Sequence, residues 1–175
     1  MLQAVATTGA RFTERSIQNA LYFFCDRKRH RFMVPNVQMF GWESDFVSVT
    51  RDGYVYEYEV KISRSDFRLD LQKERHLHLT GLHAGEPAGL WPTSKRRGAN
   101  YLYYAAPADL LNVDEIPAHA GLITIRTDAK FMLIVKPAPK LHKDKLSDHH
   151  RQWLERSLTC RFWQARLKAA DGIQA

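Results

Sequence analysis

After Thr13 the apolar residues recur at helical spacing: Ile17, Ala20, Leu21 and Phe24 share one face through about Arg27, and Thr13 is suited to cap that helix. The pattern then shortens to strand-like runs, "RFMVPNVQMF", "DFVSVT" and "YVYEYEVKI". "SRSDFRLDLQKERHLHL" returns to helical spacing, opened by Ser63 or Ser65, with Phe67, Leu71 and Leu77 as the inward residues. "TGLHAGEPAGLWPTSKRRGAN" is rich in Gly, Pro and charge and reads as a loop of about 20 residues, a length usually tied to function or mobility. Strands resume at "YLYYAA", followed by a short turn or helix at "PADLLN". "GLITIRT" and "FMLIVKP" form a hairpin around Asp128-Ala129. A last helix, Ser147 to about Ala170, carries Leu154, Leu158, Phe162 and Ala165 on one stripe, with Trp153 and Trp163 read as packing residues. The order helix, three strands, helix, three strands, helix predicts a mixed α/β sandwich with a largely sequential sheet.

One strand departs from the usual alternation. In "YEYEVKISRSDF", Tyr56, Tyr58, Val60 and Ile62 make an ordinary packing face, whereas the other face carries Glu57, Glu59 and Lys61. The preceding turn, "TRDGY", decides what lies opposite. A two-residue Asp52-Gly53 loop pairs Arg51 with Tyr54 and Asp45 with Val60. A three-residue loop with Gly53 in the left-handed region, which the turn sequence and the face assignment predict, pairs Thr50 with Tyr54 and sets Asp45 across from Glu59. By alternation, Glu43 shares the face of Asp45. Opposed carboxylates repel unless something neutralises them. A divalent cation would, and oxygen ligands suit magnesium or manganese. Spacing alone leaves open a solvated edge strand carrying protective charges.

Composition narrows the class. At 175 residues, with 45% hydrophobic and 26% charged residues, the chain has the makeup of one folded domain spanning 1–175. A net charge of +7 points to a polyanionic partner, nucleic acid ahead of membrane. Two cysteines, Cys25 and Cys160, are too few for a disulfide framework or a cysteine-based zinc site. His76, His78 and His83 lack the spacing of a zinc motif. With no signal-peptide pattern and no run of the roughly 20 apolar residues a membrane span needs, the expected location is cytoplasmic.

Asp45, then thirteen residues, then Glu59-Val60-Lys61 resembles the PD-(D/E)XK nuclease superfamily. The wider block "WESDFVSVTRDGYVYEYEVKISRSDF", with "NYLYYAAPADLL" and "IPAHAGLITI" downstream, is similar to its subgroup of phage-type nucleases and MmcB-type DNA-repair proteins. The resemblance covers roughly residues 13–135. Ser44 stands where many members have a proline. It implies a restriction-endonuclease-like three-layer α/β core, a mixed central sheet flanked by helices, with the C-terminal helix at about 147–170. It also implies a Mg²⁺- or Mn²⁺-dependent deoxyribonuclease hydrolysing phosphodiester bonds in DNA repair, recombination or phage DNA processing. Asp45 and Glu59 would hold the metal, and Lys61 would be the catalytic lysine. Glu14 would be the acid from the first helix, and Glu43 would stand beside the metal. Some superfamily members act as dimers, so a homodimer is an option. Lys95, Arg96 and Arg97, between Trp91 and Tyr101, suit a nucleic-acid-contacting loop. The alternative is a nucleic-acid-binding module that keeps the fold without turnover.

Overall fold

Thr13 begins the first helix as expected. Its Oγ1 accepts the Ser16 N–H at 3.1 Å while Ser16 Oγ accepts the Thr13 N–H at 3.0 Å, a reciprocal cap for α1, Glu14–Arg27. The structure is a computed structural model that describes residues 12–83, 98–126 and 132–171. The loop residues Trp91, Lys95, Arg96 and Arg97 and the Asp128-Ala129 turn lie outside the described residues.

Three strands follow α1: β1 (Phe32–Met39), β2 (Trp42–Val49) and β3 (Val55–Val60). Two short helices, α2 (Arg64–Asp70) and α3 (Arg75–His83), lead to β4 (Tyr101–Pro107). After a 3₁₀ turn at Val113–Glu115 come β5 (Ala120–Ile125), β6 (Met132–Lys136) and α4 (Asp148–Asp171). The strands form one six-stranded sheet in the order β1-β2-β3-β4-β5-β6. β3, β4 and β5 run parallel, and the outer pairings are antiparallel. The fold is therefore α/β, with a mixed, sequential central sheet flanked by helices.

Both faces are covered. On one, Ile17, Leu21 and Cys25 of α1 pack on Phe46, Tyr58, Val60, Ala105 and Ile123. On the other, Phe67 and Leu79 of α2 and α3 meet Leu102, Tyr104 and Leu122. Leu146 and Leu154, beside the start of α4, meet Val34, Val37, Val47 and Val49 on that same face. Among the described residues no helix is long and apolar enough to cross a membrane.

Expectations about the helices need correction in two places. The segment after β3 is two helices, interrupted between Asp70 and Arg75. The break resets the helical phase, so Leu77, expected inward, is 75% exposed. The apolar stripe of α4 ends at Leu158: Phe162 and Ala165 are exposed, as are Trp153 and Trp163. At 24 residues this helix is about 36 Å long, and its second half runs past the body it packs on. Ile62, placed on the packing face by alternation, is also exposed because β3 ends at Val60.

Candidate functional site

The turn between β2 and β3 uses the three-residue loop. Thr50 N–H donates to the Tyr54 carbonyl at 2.9 Å, Gly53 N–H donates to the Thr50 carbonyl at 3.0 Å, and Gly53 has φ +87°. That conformation is open to glycine without the steric cost a side chain brings. The register runs Val49–Val55, Ser48–Tyr56, Val47–Glu57 and Phe46–Tyr58. The next step sets Asp45 opposite Glu59, and there the ladder changes character: Val60 N–H donates to Asp45 Oδ2 at 2.8 Å instead of to a backbone carbonyl.

The cause lies one strand away. In β1 the buried residues are Phe32 and Val34, then Val37 and Met39, so the alternation slips by one at Asn36. Asn36 has φ +47°, a left-handed conformation that asparagine tolerates better than most residues. The β1–β2 register is unbroken here, but the Asn36–Asp45 pair is left out between Pro35–Phe46 and Val37–Ser44, and β2 changes face at the same level. Below the slip, Ser44 turns toward Glu57 and donates to its Oε1 at 2.7 Å. Glu43, expected on the face of Asp45, is exposed instead, and no hydrogen bond or ion pair among the described residues joins it to the cluster.

β3 lies inside the sheet, with Glu57 and Glu59 each 1% exposed and Lys61 2% exposed, so the edge-strand alternative does not hold. Burying such charges is costly unless each is paired. The partners come from α2 and α3. Arg75 Nη1 donates to Glu59 Oε1 at 2.7 Å and Arg75 Nη2 to Asp70 Oδ1 at 2.6 Å. Lys61 Nζ lies 3.3 Å from Glu59 Oε2 and 3.4 Å from Asp70 Oδ1. The other Asp70 oxygen takes Tyr104 Oη–H at 3.0 Å and faces His76 Nε2 at 3.0 Å. His76 Nδ1 in turn is 3.1 Å from His119 Nε2. Glu57 Oε1 also accepts the Trp42 indole N–H at 2.7 Å. Glu57 Oε2 and Arg75 Nε are buried with no partner among the described residues.

These surroundings divide the acids. Burial, and then the Glu59 charge, push Asp45 up to about 7, against the opposing pull of the Val60 N–H and Lys61. Burial also raises Glu57, reinforced by Glu59 and opposed by Arg75. For Asp70, burial acts upward but is outweighed by the His76 hydrogen bond and the Arg75 and Lys61 cations, which hold it well below the usual carboxylate range. Burial works against the charge on Lys61 as well, yet Glu59, Asp70 and Asp45 together raise it. The site thus contains one firmly ionised acid, a protonated lysine and a carboxyl poised near neutrality.

Glu14 joins from α1. The Gln18 amide nitrogen lies 2.9 Å from Glu14 Oε1, 2.6 Å from Asn36 Oδ1 and 2.9 Å from the Asp45 carbonyl. Asp45, Glu59, Lys61 and Glu14 are therefore brought to one end of the β2–β3 pair. Sequence reasoning missed Asp70, Arg75, His76, Tyr104 and His119. One signal was present: Asp70 stands three residues after Phe67, on the inward side of its helix. Ser63 does cap α2, its Oγ accepting the Asp66 N–H at 3.2 Å.

No protein-family model matches the chain, and no curated protein does. Among solved structures it is similar to the SPO1766 protein of unknown function from Silicibacter pomeroyi, at 21% identity and TM-score 0.55, with 92% of each chain covered. At that identity the likeness shows the fold alone.

Proposed function

We propose that this chain is a metal-dependent deoxyribonuclease of the restriction-endonuclease-like kind, hydrolysing phosphodiester bonds at the end of the β2–β3 pair. The observation that carries the reading is the convergence of Asp45 and Glu59 across the hairpin with Lys61 beside them, its ammonium held between Glu59 and Asp70. The donor set fits the implied ion. Magnesium keeps several waters and is commonly held by one or two carboxylates plus substrate phosphate. Among the described residues no group of three or more acid, histidine or cysteine side chains is placed to hold a metal ion, so an ion here would rest on two carboxylates and water. Asp45 and Glu59 would supply the carboxylates, and each has lone pairs beyond those its present partners use. Such an ion, when bound, supplies an activated water and charge stabilisation at the phosphate.

The chain's own residues do the rest. Asp45, near half-protonation at pH 7, can exchange its proton for a cation at little cost. Lys61 places a positive charge where the phosphate gains negative charge, and Asp70 and Arg75 fix its position. Mg²⁺ or Mn²⁺ is the proposed cofactor and DNA the proposed partner.

A second reading has an observation of its own. Both Glu59 oxygens already meet protein cations, Arg75 and Lys61, which would neutralise the acid without any metal in a binding module that lacks turnover. The test is incubation of the purified protein with supercoiled plasmid and with single-stranded circular DNA, with MgCl₂ or MnCl₂, with and without EDTA. Cleavage that EDTA stops and that Asp45→Asn abolishes supports the nuclease. DNA binding by the wild type with no cleavage in either metal leaves the binding module.

A further inference from the structure

The second half of α4 is held to the body through Arg161 and is otherwise turned to solvent. From Thr159 to Ala170 every residue is exposed, including Phe162 at 60% and Trp163 at 53%. Exposed aromatic residues grouped on one helix mark a contact surface more often than scattered ones do. Between Glu155 and Asp171 the helix contains Arg156, Arg161, Arg166 and Lys168 and no acid. The acids before this stretch are engaged, Asp148 with Arg151 at 3.3 Å and Glu155 with Arg31 at 3.4 Å. An acid-free basic stretch of this kind, its cations spread around the helix, would repel a second copy of itself and attract a polyanion.

Its location is fixed at one point. The Arg161 guanidinium donates to the carbonyls of Pro35 and Asn36, at 2.6 Å each. Asn36 is the residue where β1 slips, and its side chain meets the Gln18 amide that also reaches Glu14 and the Asp45 carbonyl. The helix therefore leaves the body beside the Asp45 end of the sheet. Just beyond that anchor, Phe162 and Trp163 stand edge to face at 5.7 Å, with the Arg166 guanidinium 5.8 Å from the Trp163 ring. Cations that track a phosphate backbone, interleaved with flat rings on which bases stack, are the elements of single-strand recognition.

We infer that residues 161–168 of α4 form a single-stranded nucleic-acid grip that leads the strand toward the Asp45 end of the sheet. The inference deepens the nuclease reading in naming a contact surface for its substrate, and its test does not require cleavage. Fluorescence anisotropy of a labelled oligothymidylate is followed in EDTA, where no hydrolysis occurs, for the wild type, Trp163→Ala and Arg166→Ala/Lys168→Ala. Trp163→Ala should weaken binding by about tenfold through the loss of base stacking. The double variant should flatten the dependence of log affinity on log salt by about 0.7 for each phosphate that is no longer neutralised. Because these side chains are exposed, thermal midpoints should stay at the wild-type value.

Wild-type affinity and salt slope in both variants would overturn the inference. So would light scattering that shows a dimer converted to monomer by Trp163→Ala, since the face would then bind a copy of this chain. A wild type that cuts DNA with magnesium while both variants bind normally keeps the nuclease reading and removes the grip. Binding abolished in both variants of a protein that never cuts keeps the grip and removes the nuclease.

Discussion

Asp45→Asn offers a test of the site that needs no substrate. In the folded chain, burial and the neighbouring Glu59 charge move this carboxyl from its ordinary 3.8 up to about 7. Between those two values the folded protein holds a proton that the unfolded chain has released. Wild-type stability therefore falls as pH rises from about 4 to about 7 and levels off above that. At about 1.4 kcal/mol per pH unit, the whole interval corresponds to about 4 kcal/mol. Asp45 is only half-buried, and water screening reduces the expected effect to about 2 kcal/mol. Asparagine is a neutral isostere whose Oδ1 can still accept the Val60 N–H, so it removes the penalty and keeps the bond. Urea denaturation in EDTA at a series of pH values should show the variant gaining on the wild type from about pH 4 to 7 by about 2 kcal/mol, then running parallel. Groups that titrate in both proteins cancel in the difference. A difference independent of pH would mean that Asp45 is an ordinary solvated aspartate, and the poised carboxyl would be refuted.

Lys61→Ala should retain the rise in thermal midpoint that MgCl₂ produces in the wild type but lose about 100- to 1,000-fold in plasmid cleavage, the scale of one missing electrostatic interaction; an unchanged rate places the chemistry elsewhere. Asp70→Ala leaves Arg75 and Lys61 short of a buried counter-charge and should cost about 3–5 kcal/mol in urea denaturation. Since Asp70 is held well below the usual carboxylate range, its contribution is fully present at and above that range and is lost only as pH falls below it toward the group's own lowered value, so Asp70→Asn should show a shallower acid limb than the wild type. Gly121→Ala would place a methyl 2.5 Å from both the Ala138 nitrogen and a Tyr103 ring carbon. Its urea midpoint should drop by the equivalent of about 1–3 kcal/mol, the usual cost of overpacking.

What could be read from the sequence was what local chemistry decides. Thr13 announces a helix start whatever lies downstream, and Gly53 after Arg51-Asp52 selects a loop that determines which side chains face Asp45. Strand order followed from the alternation of periods. The slip at Asn36 was not legible, because a single asparagine in a strand does not state its φ, and Glu43 was misplaced as a result. Asp70 and Arg75 were hidden for another reason: their roles exist only once α2 and α3 fold back over β3. In α4, helical spacing identified a stripe but carried no information on how far the rest of the molecule extends beneath it.

The sheet's sequential order has a consequence for how the chain acquires its structure. Neighbours in space are neighbours in sequence, so the β1–β2–β3 meander closes only short loops and can form early, before α2 and α3 have docked. During that interval Glu57, Glu59 and Lys61 sit on a half-built sheet whose counter-charges are still on an undocked segment. Water is their solvent until Arg75 arrives. On that order of events the charges would act as a temporary guard, keeping an incomplete sheet face wet and discouraging it from sticking to other chains. Docking of α3 then converts that guard into the packed interior. A lesion at Arg75 would leave the meander able to form yet prolong its exposed phase, so its damage should register in the yield of correctly folded protein emerging from synthesis.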